Sequence, residues 1–352
     1  LPEQDYIAAL LRDLDAELDA VQDRQLVSIF FGGGTPSLFS ASGINQLLDA
    51  VRQRIAWQDA IEITLEANPG TVDEQRFHGF RQAGINRLSI GVQSFDDLFL
   101  QRLGRIHSAG EAQRAVAAAR AAGFDAINLD LMYGLPGQDS RQSLADLRTA
   151  IALEPGHLSW YELTLEPNTE FYRRPPQLPQ ELAMDSIELS GRELLHNAGY
   201  QRYEISAYAR PGREAKHNCN YWQFGDYLGI GAGAHSKLSH VDGNRIERKW
   251  KTRMPAEYMA GGITEGRQQL AGRRALLPEQ LPVEFLMNAL RLTQGVSGNL
   301  YTQRTGVDVA QLAPTLRRLR EQGLLESDTQ SICTTAKGSQ FLDSVLQAFM
   351  PD

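Results

Sequence analysis

Only two cysteines, Cys219 and Cys333, occur among 352 residues. That excludes a disulfide framework, and it excludes any metal centre built on three or more thiolates of this chain. No run of 18 apolar residues is present, so no membrane-spanning helix is expected. Basic residues are outnumbered, 35 against 43 acidic ones, for a net charge of −8, which argues against a general binder of nucleic acid or anionic membrane. Internal repeats and low-complexity tracts do not stand out. The chain starts at Leu1 rather than at a methionine, so a segment upstream is expected and no targeting signal is read from that end. What is present is 42% apolar residues, enough to bury a sizeable core in one large domain and a smaller one.

Residues 3 to 22 place Ile7, Leu10, Leu11, Leu14, Leu18 and Val21 on one stripe of an amphipathic helix. The apolar run 26 to 31, LVSIFF, is too short for a helix and reads as a strand buried on both faces. Strand-like runs follow at 61–67, 86–93, 126–134 and 157–165, with helical patterns between them. Such alternation predicts βα units and a parallel sheet. Thr71 and Glu74 are expected to form a capping box that starts the next helix and fixes Glu66 at a strand end. Three prolines within 173–180 precede an amphipathic helix at 181–197. Residues 217–236 are rich in glycine and aromatics, 276–282 reads as a linker, and helical patterns at 283–293 and 308–323 precede a short β-wing and a closing helix. The expected domains are 1–200, 201–275 and 276–352.

Every strand-like run leaves through polar or glycine-rich residues: Gly32, Gly33, Gly34 and Thr35; Glu66 to Gly70; Gln93 and Ser94; Asp130 to Gly134; Glu162 to Thr164. In parallel α/β sheets a site gathers at the carboxyl ends of the strands. Three successive glycines permit close approach to a ligand. They do not form a P-loop, because no Gly-Lys-Ser/Thr follows, nor a dinucleotide fingerprint, because Ser37 and Leu38 stand where a third glycine is required. Asp130 lies inside an apolar strand, where an ionised group costs several kcal/mol unless it is paired.

GGGTPS, EANPG, SIGVQSF with RLGRIH, and NLDLMYGLPGQ, in this order, resemble the radical S-adenosylmethionine family. With LTLEPNT and HNCNYW the chain looks more narrowly like the branch that contains the oxygen-independent coproporphyrinogen III dehydrogenases and the HemW-type haem chaperones. The resemblance implies an incomplete (β/α)6 barrel, its first strand missing from this chain, and a C-terminal winged-helix-like α+β module. It implies that the backbone of Gly32, Gly33, Gly34 and Thr35 walls in the methionine end of S-adenosylmethionine, where an added side chain should clash, with Glu66 as a charged partner. Gln93, Arg105 and Asp130 match positions that bind the cofactor's carboxylate and ribose, groups suited to an Arg fork and to amide or carboxylate partners. On their residues alone, Arg105 also reads as a solvated helix-end charge and Gln93 as a sheet-end hydrogen bonder.

The family's [4Fe-4S] cluster sits on a Cys-x3-Cys-x2-Cys loop, and Cys219 and Cys333 do not have that spacing. The resemblance therefore places the cluster cysteines, with the first strand, upstream of Leu1. His217 and Cys219 are candidate haem ligands, with Tyr221 and Trp222 offering flat faces to a macrocycle, and His235 is a weaker candidate. Arg245, Arg248, Lys249, Lys251 and Arg253 could engage tetrapyrrole carboxylates or form a solvated hairpin. Two functions follow: a haem chaperone delivering haem to a recipient protein, which the motifs favour, and a dehydrogenase that converts coproporphyrinogen propionates to vinyls. Haem or a porphyrinogen, a haem-receiving protein and no nucleic acid are the expected partners. A cytoplasmic location is expected, and a homodimer or peripheral membrane association through a partner is compatible with it.

Overall fold

The computed structural model describes residues 2–21, 24–167, 169–240, 245–263 and 269–350; Asn168 of the LTLEPNT motif lies outside them. Helix α1 (Glu3–Glu17), prolonged by a 3-10 turn over Leu18–Val21, leads into β1 (Gln25–Phe31), α2 (Ala41–Arg54) and β2 (Ala56–Ala67). There follow α3 (Glu74–Gln82), β3 (Arg87–Gln93), α4 (Asp97–Arg102), α5 (Ala109–Ala121), β4 (Ala126–Tyr133), α6 (Ser140–Ala152) and β5 (His157–Glu162). Then come α7 (Glu170–Arg173), α8 (Glu181–Asn197) and the pair β6 (Gln201–Glu204) and β7 (Ala207–Ala209). These strands form a seven-stranded sheet in the order β1-β2-β3-β4-β5-β7-β6, a curled half-barrel. The ladder from β2 to β5 is parallel, and β7 and β6 close it antiparallel. β1 is less covered than expected: it stands at one end of the sheet order and Phe30 is exposed.

The chain divides into two compact units, 27–48 with 59–215, and 1–26 with 49–58 and 216–352. In the first, alternate strand residues Leu88, Ile90, Val92, Ile127, Leu129, Leu131, Leu158 and Trp160 are buried on one face. α8 approaches Trp160 so closely that a Cβ on Gly191 would stand 2.0 Å from the indole, which explains a glycine in mid-helix. The opposite face departs from the usual apolar reading of parallel strands. One register row across β2, β3, β4 and β5 reads Glu66, Ser89, Asn128 and His157.

The expected capping box falls on other residues. Asn68 Oδ1 accepts from the Gly70 N–H and starts a 3-10 turn over Pro69–Thr71, so Thr71 belongs to that turn and its hydroxyl donates to the Asn68 carbonyl at 3.0 Å. Asp73 caps α3 instead, accepting from the Arg76 N–H at 2.8 Å.

The second unit holds α9 (Lys216–Trp222), β8 (His235–Ser239), β9 (Ile246–Lys251), α10 (Pro255–Ala260) and β10 (Leu270–Ala275), with the three strands antiparallel in the order β10-β9-β8. Its C-terminal part comprises α11 (Leu281–Ala289), β11 (Val296–Ser297), α12 (Gly298–Thr305), α13 (Ala313–Glu321), β12 (Ser331–Ile332), α14 (Ala336–Gln340) and α15 (Leu342–Gln347). β11 pairs with β12 beside the helices, a winged-helix-like arrangement. The stretch expected as a linker is packed, because Leu276 and Leu281 sit in a core with Phe285, Tyr301, Leu316 and Ile332.

The basic strand β9 is neither a solvated hairpin nor a free anion-binding patch. Arg245 pairs with Glu247, Arg248 with Glu284, Lys249 with Glu17, and Lys251 with Asp13 and Glu17. Two of the answering carboxylates, Asp13 and Glu17, lie on α1, which the apolar stripe alone did not disclose. Arg253 remains exposed.

Candidate functional site

At the carboxyl end of β1, Gly33 and Gly34 adopt φ of +76° and +62°, which only glycine enters freely. A Cβ at either would meet no protein atom within 4 Å, whereas at Gly32 it would lie 2.6 Å from the Phe30 ring and 3.1 Å from the Glu66 carboxylate. Against the protein itself the expected clash is thus confined to Gly32; backbone conformation accounts for the other two. The Gly33 N–H donates to Glu66 Oε2 at 3.2 Å, linking the exits of β1 and β2, and Thr35 leads into a 3-10 turn over Pro36–Leu38.

Asp130, on the inner face of β4, accepts from the Ser89 hydroxyl at 2.9 Å and from Asn128 Nδ2 at 2.8 Å. Asn128 Oδ1 in turn accepts from His157 Nδ1 at 2.6 Å, and His157 Nε2 meets the Tyr203 hydroxyl at 2.8 Å. Burial, seconded by the charge of Arg87, holds the His157 pKa well below its usual value. The ring is therefore neutral, with Nδ1 protonated and Nε2 accepting from Tyr203. Burial also raises the pKa of Asp130, against the opposing hydrogen bonds of Ser89, Asn128 and Ser159 and the charge of Arg87. Glu66 is raised by burial and by the charge of Asp130, with the Gly33 N–H opposing. Two carboxyls that interact and are both costly to ionise make a pocket suited to a cation.

Gln93 closes β3 at a register irregularity and has φ of 68°, unusual for a residue with a side chain. Its Oε1 accepts from the Tyr161 hydroxyl of β5 at 2.8 Å. The segment is held from two other directions. His107 Nε2 donates to the Val92 carbonyl at 3.0 Å, and Asp146 of α6 accepts from the Ser94 hydroxyl and the Phe95 N–H, each at 2.7 Å. Arg105 is exposed on the turn after α4, makes no ion pair among the described residues, and is near enough for its charge to act on Tyr161. Asp130 and Glu66 act on the same hydroxyl, so Glu66, Gln93, Arg105, Asp130 and Tyr161 form one cluster at the strand ends.

Sequence reasoning missed Tyr161, Asp146 and the polar row. The available signal was period-two alternation, since His157, Ser159 and Tyr161 occupy one face of β5 and Asn128 and Asp130 one face of β4. Burial pushes the Asp146 carboxyl up to about 6, against the hydrogen bonds from Ser94 and Phe95. The folded protein holds this proton more tightly than the unfolded chain, so the stability it confers is full below pH 3.8 and is lost as pH rises to about 6. At 1.36 kcal/mol per pH unit that is about 3 kcal/mol. Denaturant melts of Asp146→Asn between pH 4 and 6 are expected to lack this fall; a pH profile unchanged from the parent would contradict it.

HNCNYW lies within helix α9. His217 and Cys219 are half-buried and two residues apart, a spacing that does not face one point from a helix. Trp222 lies under the Arg291 guanidinium, 4.5 Å from the ring centre, and Tyr221 packs edge-on against Trp222. His235 is exposed at the start of β8. No group of three or more metal-ligating side chains occurs among the described residues, so they do not fit an iron–sulfur cluster.

A profile of the Radical SAM superfamily matches residues 3–148, and one of the HemN C-terminal domain matches residues 276–341. The chain is 47% identical over its full length to a protein of Haemophilus influenzae named heme chaperone HemW, covering 91% of it. It is 46% identical, with the same coverage of each, to the Escherichia coli protein of that name. The solved structure of coproporphyrinogen III oxidase (HemN) from Escherichia coli superposes with a TM-score of 0.80 over 99% of this chain and 83% of that one, at 22% identity, and shows the shared fold. From the half-barrel to its C-terminal module, this chain belongs to the HemW family of the radical SAM superfamily.

Proposed function

We propose that the protein is a haem chaperone that binds haem and S-adenosylmethionine and passes haem to a recipient protein. The observation that carries this reading is full-length similarity to proteins named heme chaperone HemW. The fold shared with HemN does not favour the dehydrogenase reading, because at 22% identity it speaks to architecture alone.

The pocket at the strand ends fits S-adenosylmethionine, the family's source of an activated sulfonium. Glu66 would accept from its ammonium, the unpaired Arg105 would take its carboxylate, and Gln93 and Asp130 would meet the ribose and amino-acid oxygens and nitrogens. Gly32 leaves the room that a Cβ would fill beside Glu66. The chain's own residues supply no thiolate triad, so no electron-transfer step is derived from them. For haem we assign α9, with one of His217 and Cys219, rather than both, as iron ligand.

Anaerobic titration of the cluster-reconstituted full-length protein is expected to show stoichiometric haem binding without turnover of coproporphyrinogen. Conversion of coproporphyrinogen would overturn the chaperone reading. His217→Ala and Cys219→Ala are expected to differ, one shifting the haem absorption bands and the other leaving them alone; if neither shifts them, the assignment to α9 fails.

A further inference from the structure

We propose that Tyr161 is a positioning residue that fixes the side-chain amide of Gln93, so that Gln93 meets the cofactor as a hydrogen-bond donor and selects an oxygen acceptor on it. The inference rests on the reading of the pocket as a site for S-adenosylmethionine. A glutamine amide can present its oxygen or its NH2 group to a ligand, and the two ends differ little in shape. Here the Tyr161 hydroxyl donates to Oε1 at 2.8 Å, which leaves Nε2 as the free end; among the described residues it has no acceptor. Gly91 leaves room for that end, because a Cβ at position 91 would stand 3.2 Å from Nε2.

The tyrosine is kept as a donor. Burial, and after it the charge of Asp130, raise its pKa, so the hydroxyl retains its proton throughout the working range. The glutamine backbone is fixed as well. Its φ of 68° is sustained by His107 on the Val92 carbonyl before it and by Asp146 on Ser94 and Phe95 after it. With main chain and amide oxygen both held, the remaining N–H groups keep one direction, and a ligand oxygen meets them without a cost for ordering the side chain. Tyr161 thus acts through Gln93 rather than on the ligand.

The test is calorimetric titration of S-adenosylmethionine into full-length, cluster-loaded protein under anaerobic conditions, with thermal melts to verify folding. Tyr161→Phe is expected to weaken binding about tenfold in the parent and less than twofold in a Gln93→Ala background. Gln93→Glu can still accept from Tyr161 but has no N–H to donate, and it is expected to bind as weakly as Gln93→Ala. Parent-like affinity of Tyr161→Phe or of Gln93→Glu overturns the proposal, as does an equal loss from Tyr161→Phe in both backgrounds, which would mean direct contact. Should Tyr161→Phe not fold, Gln93→Glu against Gln93→Ala still decides whether donation matters. A parent protein that binds no S-adenosylmethionine would instead refute the pocket reading, and the proposal with it.

Discussion

Lys251→Ala is expected to destabilise the protein by about 3–5 kcal/mol, the cost of breaking a buried ion pair from one side. The Lys251 ammonium lies 2.5 Å from Asp13 Oδ1 and 2.8 Å from Glu17 Oε1, and only 2% of its side chain is exposed. Asp13 also accepts from the Tyr258 hydroxyl at 2.7 Å. Removal of the lysine strands two carboxylates with one remaining cation, Lys249, which pairs with Glu17 and is shared with Glu247. The penalty comes from uncompensated charge, so Lys251→Met, which keeps most of the volume, should lose nearly as much stability as Lys251→Ala. Chemical denaturation decides: a loss below about 1 kcal/mol would mean that water reaches the cluster. The cluster has a pH signature too. Burial raises the pKa of Glu17, but the hydrogen bonds and charges of Lys249 and Lys251 outweigh it and the net shift is downward. Its contribution is present above the ordinary value of 4.5 and is lost as pH falls below it. In Lys251→Ala that acid sensitivity should diminish.

Glu66→Gln is expected to weaken S-adenosylmethionine binding roughly 10- to 100-fold, the range for losing a charge-assisted hydrogen bond of about 1.5–3 kcal/mol. The substitution keeps an oxygen for the Gly33 N–H, so the glycine turn is retained and the loss reports on charge. It should also raise the stability of the ligand-free protein, because the Glu66 pKa is raised by burial and by Asp130. A carboxyl whose folded pKa is raised lends stability below its unfolded value and loses it as pH rises through the folded one. Affinity runs the opposite way with pH. A cationic ligand favours the ionised carboxyls, so binding expels protons, and affinity should climb with pH through the range above 4.5 and then level off. Titrations at several pH values with Glu66→Gln as control check both claims. Parent-like affinity in the variant would remove Glu66 from the site.

Much of the half-barrel is legible because local pattern and tertiary role agree there. Helix α8 matches its predicted limits, and the strand runs that place Glu66, Gln93 and Asp130 at one end of the sheet follow from apolar runs ended by polar residues. Other features hide in pairings that no local window contains. Thr71 followed by Glu74 has the form of a capping box, but the Asn68 side chain had already committed that stretch to a turn. Lys249 and Lys251 look like solvent-facing cations until α1 supplies Asp13 and Glu17. Tyr161 reads as one aromatic in a strand of several, and only the bulge at Gln93 brings the two side chains together. The family motifs reveal where a cofactor would lie, whereas the residues that brace its contacts come from neighbouring strands and helices.

The contact between Asp13 and Lys251 also bears on synthesis. Its partners are separated by 238 positions, and at about 5–20 residues per second a ribosome needs roughly 12–48 s to carry the chain from one to the other. Throughout that interval Asp13 and Glu17 of α1 lack their final cation, while the strands of the half-barrel emerge and pair. The second unit therefore cannot be completed in order of synthesis: its first helix waits for β9. A holdase that shields α1 over that interval should therefore raise the yield of folded protein more than one acting on the strands that follow.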